Sequence, residues 1–219
     1  VDGQLGMNAI MDGIYQGTSA VLIALSMSAT CCIAESDATQ VICVGYGYSS
    51  SDNASTTIDL GHAVTALTAG STHFCALLDD TKAKCWGANN TGQLGIGSAE
   101  LTATYHASPV FVLQDSAGTV LSGITKINAA YSSTCLVASE NPMCFGNNKY
   151  YQLGIANGGA TVLYPTLITP FDGVTGKTLL SMHVGEYTGH AVFHDGSVYS
   201  LGTNNGGTFG DGSTIGNGK

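Results

Sequence analysis

Two stretches of this 219-residue chain repeat one another closely enough to dictate its architecture. Leu67-Thr-Ala-Gly-Ser-Thr-His-Phe-Cys75 aligns with Ile127-Asn-Ala-Ala-Tyr-Ser-Ser-Thr-Cys135, the cysteine falling eight residues after the leading aliphatic residue in both. Downstream, Cys85-Trp86-Gly87 matches Cys144-Phe145-Gly146, and Gly92-Gln-Leu-Gly95 matches Tyr151-Gln-Leu-Gly154. A further copy begins at Met182 and continues through His190, Ser200-Leu201-Gly202 and Gly207-Thr-Phe-Gly210. A more degenerate first copy reads Leu25-Ser-Met-Ser-Ala-Thr-Cys31-Cys32 and then Cys43-Val44-Gly45. The anchors Gly45, Gly87, Gly146 and Gly202 lie 42, 59 and 56 residues apart. A period near 50 is too long for a helical-pair repeat and suits a four-stranded antiparallel blade.

The composition agrees with an all-β chain whose surface is neutral. Apolar residues make up 44% of it, ample for a core, whereas charged residues make up only 10%, against roughly 25% in an ordinary globular domain. Ser, Thr, Asn and Gly must therefore cover the outside. All six cationic residues are lysines and the net charge is −9. Phosphate backbones and anionic membrane surfaces both require a basic face, so neither nucleic acid nor a membrane is an expected partner. The longest apolar run, Ala20 to Leu25, is far too short to span a bilayer.

The stretch Cys85-Trp-Gly-Ala-Asn-Asn-Thr-Gly-Gln-Leu-Gly95, preceded by Gly70, His73 and Ala76-Leu77, resembles the regulator of chromosome condensation repeat. Its superfamily also includes the beta-lactamase inhibitory protein propellers. Pro109 and Pro165, each opening an apolar strand after the Gly-Gln-Leu-Gly exit, fit the same pattern. The resemblance implies β-propeller-type repeats of four-stranded antiparallel blades, about four of them, as an open arc or part of a larger propeller. The chain is read as a single repeat domain over residues 1–219, with repeat cores at about 24–47, 66–97, 124–155 and 180–212. Residues 1–23 are read as the tail of a preceding repeat, because Gly3-Gln4-Leu5-Gly6 is an exit motif with no strand pair before it. A segment of a longer protein or an open arc is expected; a complete four-bladed domain is the alternative.

The repeat also orders the seven cysteines. Cys75 and Cys85 face one another across a hairpin, and Cys135 with Cys144 repeats the arrangement. In the last copy both positions change together, to His190 and Ser200, as the loss of a bonded pair would require. The series predicts disulfides Cys32–Cys43, Cys75–Cys85 and Cys135–Cys144, leaving Cys31 as a free or intermolecular thiol; buried reduced cysteines are the alternative. Such bonds place the chain in an oxidising compartment, extracellular or at the cell surface. The sequons at Asn53 and Asn89 agree with that setting as candidates for N-linked glycans.

The recurring positions have physical readings. The glycine after the aromatic residue admits close backbone approach or positive φ. Asn89, Asn148 and Asn204 can each bond their own turn. Trp86, Phe145, Leu201 and Val44 share one position and are expected to pack between blades, while His73 packs inside its blade. His190 and His194 lie four apart, but His194-Asp195-Gly196 reads as a hairpin turn, not a zinc site. Asp79-Asp80 and Asp211-Gly-Ser read as turns, lacking the alternating oxygens of a calcium loop. No nucleophile is isolated beside a base, and no phosphate-binding glycine loop is present.

No enzyme, metal or cofactor is therefore expected. The leading reading is an extracellular structural subunit, built of propeller repeats, that self-associates with copies of itself into a larger assembly or filament. Repeats of this cysteine-containing style resemble those of flagellar-hair (mastigoneme-like) fibre proteins. The alternative is an extracellular binding propeller recognising a protein or glycan through loops on one face, with Tyr46, Tyr48, Tyr150 and Tyr151 as candidate contacts. An exchange factor of the intracellular branch is disfavoured by the disulfides and the absence of arginine.

Overall fold

The computed structural model describes residues 20–34, 37–46, 55–97, 105–155, 161–168, 177–213 and 217–218. Every regular element among them is a β-strand, and the strands form four sheets of four, each an antiparallel meander in chain order. Blade 1 contains β1 (Ala20–Leu25), β2 (Ala29–Ala34), β3 (Gln40–Gly45) and β4 (Ser55–Asp59). Blade 2 contains β5 (Val64–Ala69), β6 (His73–Leu78), β7 (Ala83–Ala88) and β8 (Tyr105–Phe111). Blade 3 contains β9 (Ile124–Ala130), β10 (Ser133–Ala138), β11 (Asn141–Asn147) and β12 (Thr161–Leu167). Blade 4 contains β13 (Leu179–Val184), β14 (Thr188–Phe193), β15 (Val198–Thr203) and the short β16 (Asn217–Gly218). The first strands β1, β5, β9 and β13 are neighbours in succession and form the inner edge of the arc.

Two boundaries differ from the repeat spacing. Ala20 to Ile23 open β1 and belong to blade 1, not to a preceding tail; the Gly3–Gly6 motif lies outside the described residues. Pro109 and Pro165 sit within β8 and β12, the outermost strands of their blades. An edge strand tolerates a residue without an N–H.

Alternation along each strand gives every blade two working faces. In blade 2, Phe74 and Trp86 point back toward blade 1, their rings stacked with centroids 5.9 Å apart. They share a core with Ile33, Val41 and the Cys31–Cys43 disulfide. Cys75, Leu77 and Cys85 point forward into a second core with Phe145 and Leu136 of blade 3, which runs on to Met182 and Leu201 of blade 4. Each disulfide therefore lines the seam with the following blade, where a covalent cross-strand pair presents a flat apolar surface to the next sheet.

The structure corrects the first of the expected bonds: the pair is Cys31–Cys43, and Cys32 stays outside the three disulfides. Register decides this, because Cys31 lies opposite Cys43 whereas Cys32 lies opposite Ile42 and points to the other face. The separation of 12 residues, against 10 and 9 in the other two blades, reflects a longer β2–β3 connection. Cys31 is thus neither free nor intermolecular; Cys32 is buried, its thiol 3.6 Å from the carbonyl of Ile42. In blade 4, His190 and Ser200 occupy the facing positions and their side chains meet at 3.0 Å (Nδ1 to Oγ).

The glycine anchors have both properties read from sequence. Gly45, Gly87, Gly146 and Gly202 take φ of 108°, 104°, 104° and 88°. A Cβ on Gly87 would stand 2.6 Å from the carbonyl oxygen of Thr72, and on Gly146 2.5 Å from that of Ser132.

Candidate recognition face

In an antiparallel meander, the turn between the first two strands and the exit from the third lie at the same end. In this chain that end carries the hairpin tips Ser26–Ser28, Gly70–Thr72, Tyr131–Ser132 and Gly185–Tyr187 and the exits following Gly45, Ala88, Asn147 and Thr203. The tips of blades 1, 2 and 3 are tied laterally, Met27 N donating to Ser71 O at 3.0 Å and Ser71 N to Tyr131 O at 2.8 Å.

The exits of blades 2, 3 and 4 share one scaffold. Asn89, Asn148 and Asn204 are fully buried, and their Oδ1 atoms accept the N–H groups of Leu94, Leu153 and Phe209 at 3.1, 3.0 and 2.9 Å. Each amide closes its loop from within. Asn89 is consequently not a glycan acceptor in this fold, since its side chain has no access to solvent. Asn53 lies outside the described residues. Inside the same loops, Gln93 and Gln152 accept the N–H of Thr91 and Tyr150 at 2.8 and 2.9 Å.

On this common frame blade 3 differs in composition. Where blade 2 has Asn90-Thr91-Gly92 and blade 4 has Asn205-Gly206-Gly207, blade 3 has Lys149-Tyr150-Tyr151. Tyr151 adopts φ 62°, beside 74° and 78° for the glycines at the same position. Tyr131, standing where blade 2 has Ser71, is also left-handed at φ 48°. A bulky L-residue in this region carries local strain of about 1 kcal/mol or more, and such outliers concentrate at functional sites.

The side chains converge across the seam between blades 3 and 4. Tyr150 and Tyr187 meet edge to face, centroids 4.9 Å apart. The Glu186 carboxylate stands beside the phenols of Tyr131 and Tyr187, and its hydrogen bonding and negative charge raise the Tyr131 phenol and push Tyr187 up to about 12. Both phenols stay protonated at neutral pH. Gln152 Nε2 donates to Glu186 O at 3.1 Å, which pins the blade 3 exit to the blade 4 tip. Lys149 Nζ sits 5.3 Å from the Tyr150 ring centre. Tyr131, Tyr151 and Tyr187 remain 37%, 48% and 45% exposed.

Of the tyrosines singled out in the sequence, Tyr150 and Tyr151 lie on this patch. Tyr46 stands at the same end of blade 1, 82% exposed, and Tyr48 lies outside the described residues. Tyr131, Tyr187, Glu186 and Lys149 were missed. The available signal was the column formed by the four tips, Met27, Ser71, Tyr131 and Glu186, where repeat symmetry breaks.

Other chemistry-bearing groups have structural partners. His73 is fully buried, with Nε2 2.9 Å from Thr134 Oγ1, whose hydroxyl donates to Gln93 O at 2.9 Å. That direction makes Nε2 the protonated nitrogen, and Nδ1 is left without a hydrogen-bond partner. Burial drives the His73 pKa down to about 3, so the ring is neutral. His62 lies between Asp79 and Asp80 at 3.1 and 3.6 Å, and Asp80 is bonded to Lys82 Nζ at 2.6 Å, an ion-paired surface turn. His194-Asp195-Gly196 is the β14–β15 turn, closed by Ser197 N donating to Asp195 Oδ1 at 3.0 Å.

Residues 64–93 match the family model of the regulator of chromosome condensation (RCC1) repeat. Among solved structures, the chain is similar to yeast RCC1 (Prp20) bound to Kap60, with TM-score 0.72 and 20% identity over 93% of this chain and 48% of that one. It is also similar to human WBSCR16, with TM-score 0.70 and 19% identity over 86% and 48%. The ectodomain of the Physcomitrella patens receptor kinase CR4 matches with TM-score 0.53 and 16% identity over 86% and 42%. The likeness at these identities is one of fold, and the chain spans about half the length of the first two structures. The chain thus has the fold of RCC1-type β-propeller blades, with an RCC1 repeat matched in blade 2.

Proposed function

We propose that this run of RCC1-type blades is an extracellular, non-enzymatic binding module that recognises its partner through the tyrosine-rich end of blades 3 and 4. The observation that carries the reading is the replacement of Asn-Thr-Gly by Lys149-Tyr150-Tyr151 on an otherwise constant loop, with Tyr151 in a glycine conformation. Tyrosine supplies large amphipathic contact area at low entropic cost, as in recognition loops generally. Three disulfides support an oxidising setting. The test is an array of immobilised peptides and glycans of both charge signs, read with the wild-type protein and with a Tyr150→Ala/Tyr187→Ala variant. The reading expects the variant to lose the wild-type spots at an unchanged melting temperature; an unaltered binding pattern contradicts it.

A second reading, self-association into a larger assembly, is favoured by a different surface. The backward face of blade 1, opposite the Cys31–Cys43 bond, carries Ile23 and Leu25 at 47% and 52% exposure. Ile42 and Val44 lie on the same face. In blade 2 the corresponding face buries Phe74 and Trp86 against its neighbour. A second copy seated on blade 1 would extend the stack head to tail, the geometry that yields filaments.

A further inference from the structure

The tyrosine patch also constrains the chemistry of what it binds. We propose that the Tyr131–Tyr150–Tyr187 face takes a neutral saccharide, with a sugar ring stacked on exposed tyrosine and its hydroxyl groups bonded at Glu186 and the phenols. This rests on the binding-module reading above and deepens it.

Charge argues for a neutral occupant. The patch carries one carboxylate, Glu186, and one ammonium, Lys149. An added cation approaching Tyr150 meets the ammonium 5.3 Å from that ring centre. An added anion meets the Glu186 carboxylate, whose charge already acts on two phenols. The net charge of −9 further disfavours an anionic partner at long range.

Hydrogen bonding and shape select among neutral ligands. A carboxylate has about four lone-pair sites, so Glu186, beside the phenols of Tyr131 and Tyr187, can still accept from a vicinal diol. The phenol oxygens accept further bonds. An apolar peptide anchor would leave these groups desolvated without partners, which is unfavourable, whereas a hydroxyl-bearing ring satisfies them. The half-exposed rings offer faces to the apolar C–H side of a pyranose. The arrangement is set before binding: Gln152 holds the Glu186 backbone at 3.1 Å, and the backbone O of Gln152 packs so closely on Gly189 that no Cβ fits there. A preorganised site loses little entropy on binding.

The test is titration of protein carrying ring-labelled tyrosine, followed by NMR, with cellohexaose, laminarihexaose and mannohexaose as neutral probes and hexalysine and sialyllactose as charged ones. At least one neutral hexaose should move the Tyr150 and Tyr187 resonances saturably, and Tyr187→Ala should weaken that binding tenfold or more while the remaining tyrosine spectrum stays folded. Movement of these resonances by hexalysine or sialyllactose alone overturns the neutral saccharide and leaves the binding face standing. A neutral hexaose that binds without moving them overturns the site, and no response to any neutral hexaose overturns the inference.

Discussion

His73 Nε2 and Thr134 Oγ1 meet at 2.9 Å across the seam between blades 2 and 3, in a site from which water is excluded. Thr134 passes the bond on to Gln93 O, so a strand of blade 2, a strand of blade 3 and a Gly-Gln-Leu-Gly exit loop are joined through one neutral imidazole.

Neutrality of that imidazole makes the fold acid-sensitive. The folded-state pKa of about 3 lies below the ordinary value of 6.5, so between these values the unfolded chain binds a proton that the native state refuses. Stability present above pH 6.5 should fall as pH falls toward 3, by up to about 1.4 kcal/mol per pH unit. Below about pH 4, protonation of Asp37, Asp195 and Asp211, each held low by bonds from Thr39, from Lys177 and Ser197, and from Ser213 respectively, adds to the loss. Denaturant melts of wild type and His73→Gln between pH 4.5 and 7 should show the slope in the former and a nearly flat line in the latter. Equal slopes would remove His73 as the cause.

Covalent seams give a second prediction. Each disulfide closes a loop of about ten residues, for which chain entropy suggests roughly 2–3 kcal/mol of stability. Cys75→Ser/Cys85→Ser should lower stability by that order, visible as a shifted urea midpoint at constant slope. Peptide mapping of unreduced protein should recover Cys31 linked to Cys43, with Cys32 alkylated only after unfolding. A Cys32–Cys43 peptide would contradict the register of β2 and β3.

The anchor glycines separate two effects that sequence alone merges. Gly87→Ala must accept both φ 104° and a Cβ at 2.6 Å from Thr72 O. Gly61→Ala meets φ 73° in open space. The former should be destabilising by more than about 2 kcal/mol and the latter by about 1 kcal/mol. Thermal melts in parallel decide it; similar losses would mean that close packing at Gly87 contributes nothing.

Much of this architecture was legible because repetition exposes position-specific physics. Gly45, Gly87, Gly146 and Gly202 recur because a Cβ would strike a neighbouring carbonyl, and Asn89, Asn148 and Asn204 recur because each closes its own exit. The errors fell where repetition was imperfect. Cys31 and Cys32 are adjacent, and choosing between them needs strand register, which a two-residue change in connection length obscures. The Asn89 sequon is satisfied as a string, yet the side chain is buried as a loop staple. The patch around Glu186 was missed for another reason: its members come from two blades, nothing local links Tyr131 to Tyr187, and only the broken column of tip residues signals it.

Exposure on blade 1 yields a prediction about assembly. If Ile23 and Leu25 seat a second copy, light scattering should show mass rising with concentration, and Leu25→Lys should hold the protein monomeric at concentrations where wild type associates. A wild-type monomer across that range would exclude this face as a self-association surface.

Tyr151 carries the central claim, that the end of blades 3 and 4 is kept for recognition and not for folding. The most direct measurement is the stability of Tyr151→Gly together with its binding to the array ligands of the wild type. Glycine restores the residue found at this position in blades 2 and 4 and relieves the φ 62° strain, so stability should hold within about 1 kcal/mol while binding is lost. A loss of several kcal/mol with binding retained would show Tyr151 to be a packing residue and contradict the account.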